Sequence, residues 1–240
     1  MRKIQILLLG IFLPFFLCAQ NSYSSNINSA IRILKIHESS LSQLSPFDEE
    51  EFKSIIRLNR KASEKLLEVL RLRDVVEVPK DSFPFFSGKS EDDAFAVFNW
   101  RENMGGTFQQ YINIFYWVDK NGTPRALKMD EEYTPYAEVF QIKNSDGEML
   151  YLLIGRGIGC ATCVYEKVLL LKTNAADVSE VFAFQIDYRL NNDIKGFRFD
   201  ETTNILTYEF IEEDCEEEEG ENCWVNGKFR FDGNTFVEVE

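Results

Sequence analysis

Met149-Leu-Tyr-Leu-Leu-Ile-Gly155 and, beyond residues 156–163, Val164-Tyr-Glu-Lys-Val-Leu-Leu-Leu-Lys-Thr173 decide how this chain folds. Met149–Ile154 and Val168–Leu171 are apolar at consecutive positions, so neither face of either segment can be left in water. Each reads as a strand covered on both sides, at the centre of a sheet. The link between them has no room for the crossover helix that a parallel pair requires, so the two strands run antiparallel. Working outward, strand patterns recur in Ala94–Trp100, Thr107–Val118, Tyr136–Lys143, Glu180–Tyr188, Gly196–Asp200, Ile205–Ile211, Trp224–Asp232 and Thr235–Val239. In Ile205–Ile211, Leu206, Tyr208 and Phe210 share one face while Thr207 and Glu209 take the other, the signature of a strand buried on one side. Asn121-Gly122, Asp146-Gly147 and Asp232-Gly233 supply turns, because these residue types adopt the left-handed conformation that tight hairpins need. Phe197-Arg-Phe-Asp200 returns as Phe229-Arg-Phe-Asp232, a repeated hairpin unit with too few copies to close a propeller.

Before Pro84 the period is helical. Ile27, Ile31, Leu34 and Leu41 keep helical spacing until Ser45-Pro46 breaks the run. Asp48 followed by Glu51 resembles a capping box, and Phe52, Ile55, Ile56, Asn59, Ala62, Leu66 and Leu70 trace one stripe, with Lys53, Arg57, Lys61 and Lys65 off it. The expected fold is therefore α+β: an N-terminal helix pair packed on a predominantly antiparallel β-meander, forming an open barrel-like or partial propeller-like sheet. Two helices alone bury too little to fold, so their stripe should dock on the sheet.

The first residues read as an address. Arg2 and Lys3 precede an apolar run from Ile4 to Leu17, Ala19 suits the position before a cleavage site, and polar residues follow. The apolar run is shorter than a spanning helix needs. A lipid-modified Cys18 is disfavoured by the bulky Phe15, Phe16 and Leu17 before it. We thus expect a signal peptide over 1–19, a helical segment over 20–78, a β-rich body over 79–240, and a periplasmic or extracellular location.

Export changes the reading of the cysteines. Cys160, Cys163, Cys215 and Cys223 remain in the mature chain, an even number in an oxidising compartment, and structural disulfides are expected, most simply Cys160–Cys163 and Cys215–Cys223. Cys160-Ala-Thr-Cys163 lies between strands, without the helix that lowers the thiol pKa of a redox motif. Between Cys215 and its neighbours runs Glu212-Glu-Asp-Cys-Glu-Glu-Glu-Glu-Gly-Glu-Asn-Cys223, whose eight carboxylates cannot be buried without partners. A solvated acidic loop is the expectation. Glu212, Glu213, Asp214, Glu216 and Glu217 are weak candidates for a hard cation such as calcium, since their spacing lacks the Asp/Asn alternation of a dedicated calcium loop.

Composition narrows the function. The chain has 240 residues with 40 acidic against 26 basic side chains and a net charge of -14. Without a basic run it lacks the surface that neutralises nucleic-acid phosphates. A single histidine, His37 in the first helix, leaves serine-hydrolase and most His-based mechanisms without a base. Gly155-Arg-Gly-Ile-Gly159 has the glycines of a phosphate loop but no helix after it, and reads as a tight strand connection. Trp100, Trp117 and Trp224 could stack a sugar or peptide, although aromatics in alternating strands usually fill a core.

Asp93-Ala-Phe-Ala-Val-Phe-Asn-Trp100, Gly105-Gly106-Thr107 and Tyr111-Ile-Asn-Ile-Phe115 resemble a group of uncharacterised secreted bacterial proteins. The resemblance implies export and a β-rich fold and brings no catalytic residue with it. The expected function is a secreted, non-catalytic binding or structural module for an unknown ligand or envelope partner, with no catalytic residue, cofactor, nucleic-acid partner or transmembrane segment. The alternative is a small hydrolase using paired carboxylates, which a cleft holding two carboxylates, one with a raised pKa, would favour.

Overall fold

The computed structural model describes residues 26–104, 109–132, 134–159, 163–189, 195–211 and 224–239. Helix α1 covers residues 26–41 and α2 covers Glu49–Leu70. Asp48 caps α2, its Oδ1 accepting from the Glu50 and Glu51 amides at 3.0 and 2.9 Å. The reciprocal half of the expected capping box is not made. Glu51 instead accepts from the Ser45 amide at 2.6 Å, closing the turn between the helices. The stripe of α2 is Ile55, Asn59, Ala62, Ser63, Leu66, Val69 and Leu70. Ile56 falls outside it, at 47% exposure.

Twelve strands follow, in three antiparallel sheets of four. The first contains β1 (Phe86–Lys89), β2 (Phe95–Arg101), β3 (Tyr111–Val118) and β4 (Pro124–Glu132). The second contains β5 (Tyr136–Lys143), β6 (Met149–Ile158), β7 (Cys163–Thr173) and β8 (Val178–Arg189). The third contains β9 (Gly196–Asp200), β10 (Ile205–Ile211), β11 (Trp224–Phe231) and β12 (Phe236–Val239). Each sheet is a meander of consecutive strands and none closes into a barrel. The expected α+β class with a β-rich antiparallel body is what the chain adopts. Two strands, β1 and β4, escape the sequence pattern. Both are edge strands: β1 has only four residues, and the Pro124-Arg-Ala-Leu-Lys-Met run of β4 hides its period behind charged side chains that an edge tolerates.

The layers stack helices, first sheet, second sheet, third sheet. Ala96, Phe98 and Trp100 of β2 face Leu34, Ile55, Leu66 and Leu70 of the helices in one core. Phe95 and Val97, on the opposite face of the same strand, meet Tyr151, Leu153, Leu169 and Leu171 of the second sheet. The other face of that sheet, with Leu152, Val168 and Leu170, packs on Phe197, Leu206, Phe229 and Phe236 of the third. The doubly apolar strands are thus sandwiched, as their composition demands, and each fully buried side chain is worth about 1.5–3 kcal/mol.

Because every sheet is a meander, its connections alternate between two ends. At one end lie the tight turns, and each is closed by an Asx side chain that accepts backbone amides of its own turn. Asp119 accepts from Asn121 and Thr123, Asn144 from Asp146 and Glu148, Asn174 from Ala176 and Asp177, and Asp232 from Asn234 and Thr235. Gly122, Gly147 and Gly233 take the positive φ expected of them, at 74°, 83° and 105°. Those amide bonds hold the Asp119 and Asp232 carboxyls below the ordinary aspartate range. At the opposite end, Arg101 pairs with Tyr111, Ile158 with Val164 and Ile211 with Trp224, and the chain passes from sheet to sheet.

Candidate functional site

At this second end a polar cleft of about 510 Å³ opens between the second and third sheets. Its organising residue is Glu166 on β7. Val164, Glu166, Val168 and Leu170 point to the same face of that strand, so a carboxylate stands in an otherwise apolar row. Glu166 is 3% exposed. Burying an ion costs several kcal/mol unless its lone pairs are satisfied, and here they are. Oε1 accepts from Arg156, its register partner on β6, and from the Tyr188 hydroxyl at 2.8 Å. Oε2 accepts from the Phe197 amide of β9 at 2.7 Å, which ties the third sheet to the second. Gly196 lies against the carboxylate with φ of 60°; a Cβ there would fall on Oε2. Burial, then the Glu166 charge, pushes the Tyr188 phenol well above its ordinary range, so it stays a donor.

Arg156 reaches from this clamp toward solvent, its side chain 53% exposed. Glu138 on β5 lines the same cleft with Phe140, Phe199, Lys195 and Arg198. Lys195 is held by both oxygens of Glu209, at 2.9 and 2.7 Å. Among the described residues no cation lies within ion-pair distance of Glu138. Glu138 is exposed as a residue, but the cleft wall partly desolvates its carboxyl; this, then the neighbouring Glu166 charge, raises its pKa, and Arg156 offsets part of the rise. The cleft therefore offers an unpaired acceptor and the free edge of a guanidinium side by side.

A titration follows. The folded-state pKa of Glu138 lies above 4.5, so folding is favoured fully below that value and loses stability as pH rises through the shifted one. Because water screens this exposed carboxyl, Glu138→Gln should raise the urea midpoint only slightly at neutral pH and match the parent near pH ~4. A variant less stable than the parent at neutral pH would mean that the carboxylate is paired.

The residues singled out by sequence divide sharply. Trp100 and Trp117 are core residues whose indole N–H groups donate to Asn59 Oδ1 at 3.0 Å and the Asn174 carbonyl at 2.8 Å. Trp224 is 42% exposed on the third sheet. His37 is half-buried, and burial followed by the Lys61 charge lowers its pKa. Gly155–Gly159 is not a connection: β6 runs through Ile158, and Gly155 is required because the Pro135 carbonyl of the preceding link would stand 2.5 Å from a Cβ. Residues 1–25, including the expected signal peptide, lie outside the described residues, as do Gly105-Gly106-Thr107, Cys160, Cys215, Cys223 and the candidates Glu212, Glu213, Asp214, Glu216 and Glu217. Cys163, half-buried at the start of β7, is disulfide-bonded, and no disulfide joins two described residues. Among the described residues no cluster of three or more His, Cys, Asp or Glu side chains could hold a metal ion.

Arg156, Glu138 and Glu166 escaped sequence reading, since they come from three strands. One signal was available: a lone Glu on a doubly buried strand must have a partner.

The fold and cleft define a layered α+β protein with three stacked antiparallel sheets and a charged inter-sheet cleft. Compared with family models, curated proteins and solved structures, the chain matches none.

Proposed function

We propose that the protein is an exported, non-catalytic binding module, of the kind its resemblance to secreted bacterial proteins implies, and that the cleft between the second and third sheets is its ligand-facing element. One observation carries this reading. Both oxygens of Glu166 are occupied by donors of the protein itself, so this carboxylate orders Arg156, Tyr188 and β9 and is closed to water or substrate. A paired-carboxylate hydrolase needs two carboxylates with free oxygens, one to protonate and one to attack or to activate water. The groups left open, the Glu138 carboxylate and the outer edge of Arg156, suit a polar ligand presenting donors to the first and acceptors to the second.

Titration with a panel of disaccharides and dipeptides, followed by amide chemical shifts, tests the reading. Saturable shifts at Glu138, Arg156 and Arg198, weakened by Glu138→Gln, are expected. The raised pKa of Glu138 favours a second reading, in which it serves as a general acid. That reading requires release of nitrophenol from nitrophenyl glycosides and its loss in Glu138→Gln; turnover of that kind would replace the binding proposal.

Export is part of the proposal. Protein from a secreting bacterial host should have the intact mass of a chain beginning at Gln20. Retention of residues 1–19, or a lipid on Cys18, would overturn it. The same preparation, mapped without reduction, should yield Cys160–Cys163 and Cys215–Cys223 linkages.

A further inference from the structure

The opposite face of the second sheet holds a larger cavity, of about 640 Å³, at the end where the tight turns gather. Val118, Met149, Tyr151, Ala175 and Ala176 give it an apolar body, and Lys120, Lys172 and Glu148 stand in its lining. Its size is that of a small-molecule site, which is normally apolar with a few convergent polar groups.

Two of its polar groups make no hydrogen bond or ion pair among the described residues. The Tyr151 ring stacks on Phe95 at 4.5 Å and is 4% exposed, yet its hydroxyl has no hydrogen bond among the described residues. The side chain is buried, but its hydroxyl opens on the cavity and is left to bond water or a ligand there. Tyr116 shows the contrast: its hydroxyl is sealed in the core, whereas Tyr151 lines an open cavity. Burial, then the Asp92 charge, pushes the Tyr151 pKa up to about 12, so the group remains a donor. Lys120 is the second. Lys172 is paired with Glu148, and Asp119 is taken by Arg125 and two turn amides, but no carboxylate lies within ion-pair distance of Lys120 among the described residues. The cavity thus combines an apolar wall, a phenolic donor and the exposed ammonium of Lys120, which no carboxylate pairs directly although its charge acts on Glu148.

We infer that this cavity binds a small monocarboxylate with an apolar body, its carboxylate taken by Lys120 and the Tyr151 hydroxyl and its body laid against Met149, Val118 and the Ala175–Ala176 turn. Lys120 favours an anion over a neutral ligand of the same shape, and a dianion would meet Glu148. The site is independent of the cleft proposed above, since Tyr151 and Glu138 belong to opposite faces of the second sheet.

Naphthoate and decanoate serve as probes against the full mature chain, with naphthamide as the uncharged control. Saturable amide shifts should map to Lys120, Tyr151, Lys172 and Asn174, with naphthamide weaker by about tenfold. Lys120→Glu, at the surface, should reduce carboxylate affinity by about tenfold and leave naphthamide unaffected. Tyr151→Phe keeps the stacked ring and should cost about fivefold. Met149→Arg should alter binding of both probes by changing the apolar wall. Equal affinity for naphthoate and naphthamide, shifts that map elsewhere, indifference to Lys120→Glu in a chain with unchanged melting temperature, or no saturable shift with either carboxylate would each overturn the inference.

Discussion

Glu166→Ala should lose about 2–4 kcal/mol of folding stability, because it leaves the buried Tyr188 hydroxyl and Phe197 amide without an acceptor, while the half-exposed Arg156 can turn to water. The Tyr188 hydroxyl, the Arg156 guanidinium and the Phe197 amide all converge on this one carboxylate. Two of them belong to the second sheet and one to the third, so the loss should also loosen the seam between those sheets. Gly196→Ala attacks the same clamp from the other side, by steric collision with Oε2 and by forcing alanine into a left-handed conformation. In the Glu166→Ala background the collision is gone, and only the conformational cost of about 1 kcal/mol should remain. The double variant must therefore lose less than the two single variants added together. Urea unfolding of the four proteins measures this coupling. A Glu166→Ala loss under about 1 kcal/mol, or strict additivity, would mean that the sheets are held by apolar packing alone.

Lys80→Met should cost about 2–4 kcal/mol, although methionine fills a similar volume. Lys80 is 2% exposed. Its ammonium donates to the Val75 and Val78 carbonyls, each at 2.7 Å, and lies 4.9 Å from the centre of the Tyr116 ring. Those carbonyls sit where the chain leaves α2 through two short 3₁₀ turns, Arg73–Glu77 and Lys80–Ser82, on its way to β1, where the Val75 carbonyl accepts only one backbone bond, from the Val78 amide at 3.1 Å. The lysine substitutes for secondary structure at the joint between helical layer and first sheet. Burial lowers its pKa, partly offset by Asp93. Above the lowered value the unfolded chain binds the proton more tightly than the folded one, so this group adds stability as pH climbs toward 10.5. The variant should lack that increment. Comparing denaturant midpoints of the two proteins across the alkaline range tests both claims. Equal midpoints at neutral pH would show that the carbonyls find other partners.

Periodicity and turn chemistry make most of the elements legible in the sequence. Val168–Leu171 had to be covered on both faces, and it is. Tyr136–Lys143, Gly196–Asp200 and Ile205–Ile211 are strands over those very residues. Their strength as signals has a common cause: side chains alternate across a strand whatever it packs against, and Asn-Gly or Asp-Gly closes a turn by local sterics alone. Ile56 shows the limit within a helix. Helical spacing puts it on the stripe of α2, but a stripe has a width that only the docking angle sets, and this residue lies beyond it.

What the sequence by itself determined is thus local: which segments are strands or helices, which faces avoid water and where the chain turns. What the tertiary structure alone decided is the partition of the meander into three sheets, the roles of β1 and β4, and both candidate sites. Alternation says that a face is buried without saying against what. The break between β4 and β5 is a short link like many others, and its consequence appears only when Phe95 finds Tyr151 across it. The Glu166 clamp needs β6, β7, β8 and β9 in register, and the Tyr151–Lys120 cavity needs two sheets to meet at their hairpin ends. Charge, burial and distance in those places are properties of the stacking, and a one-dimensional pattern carries no term for them.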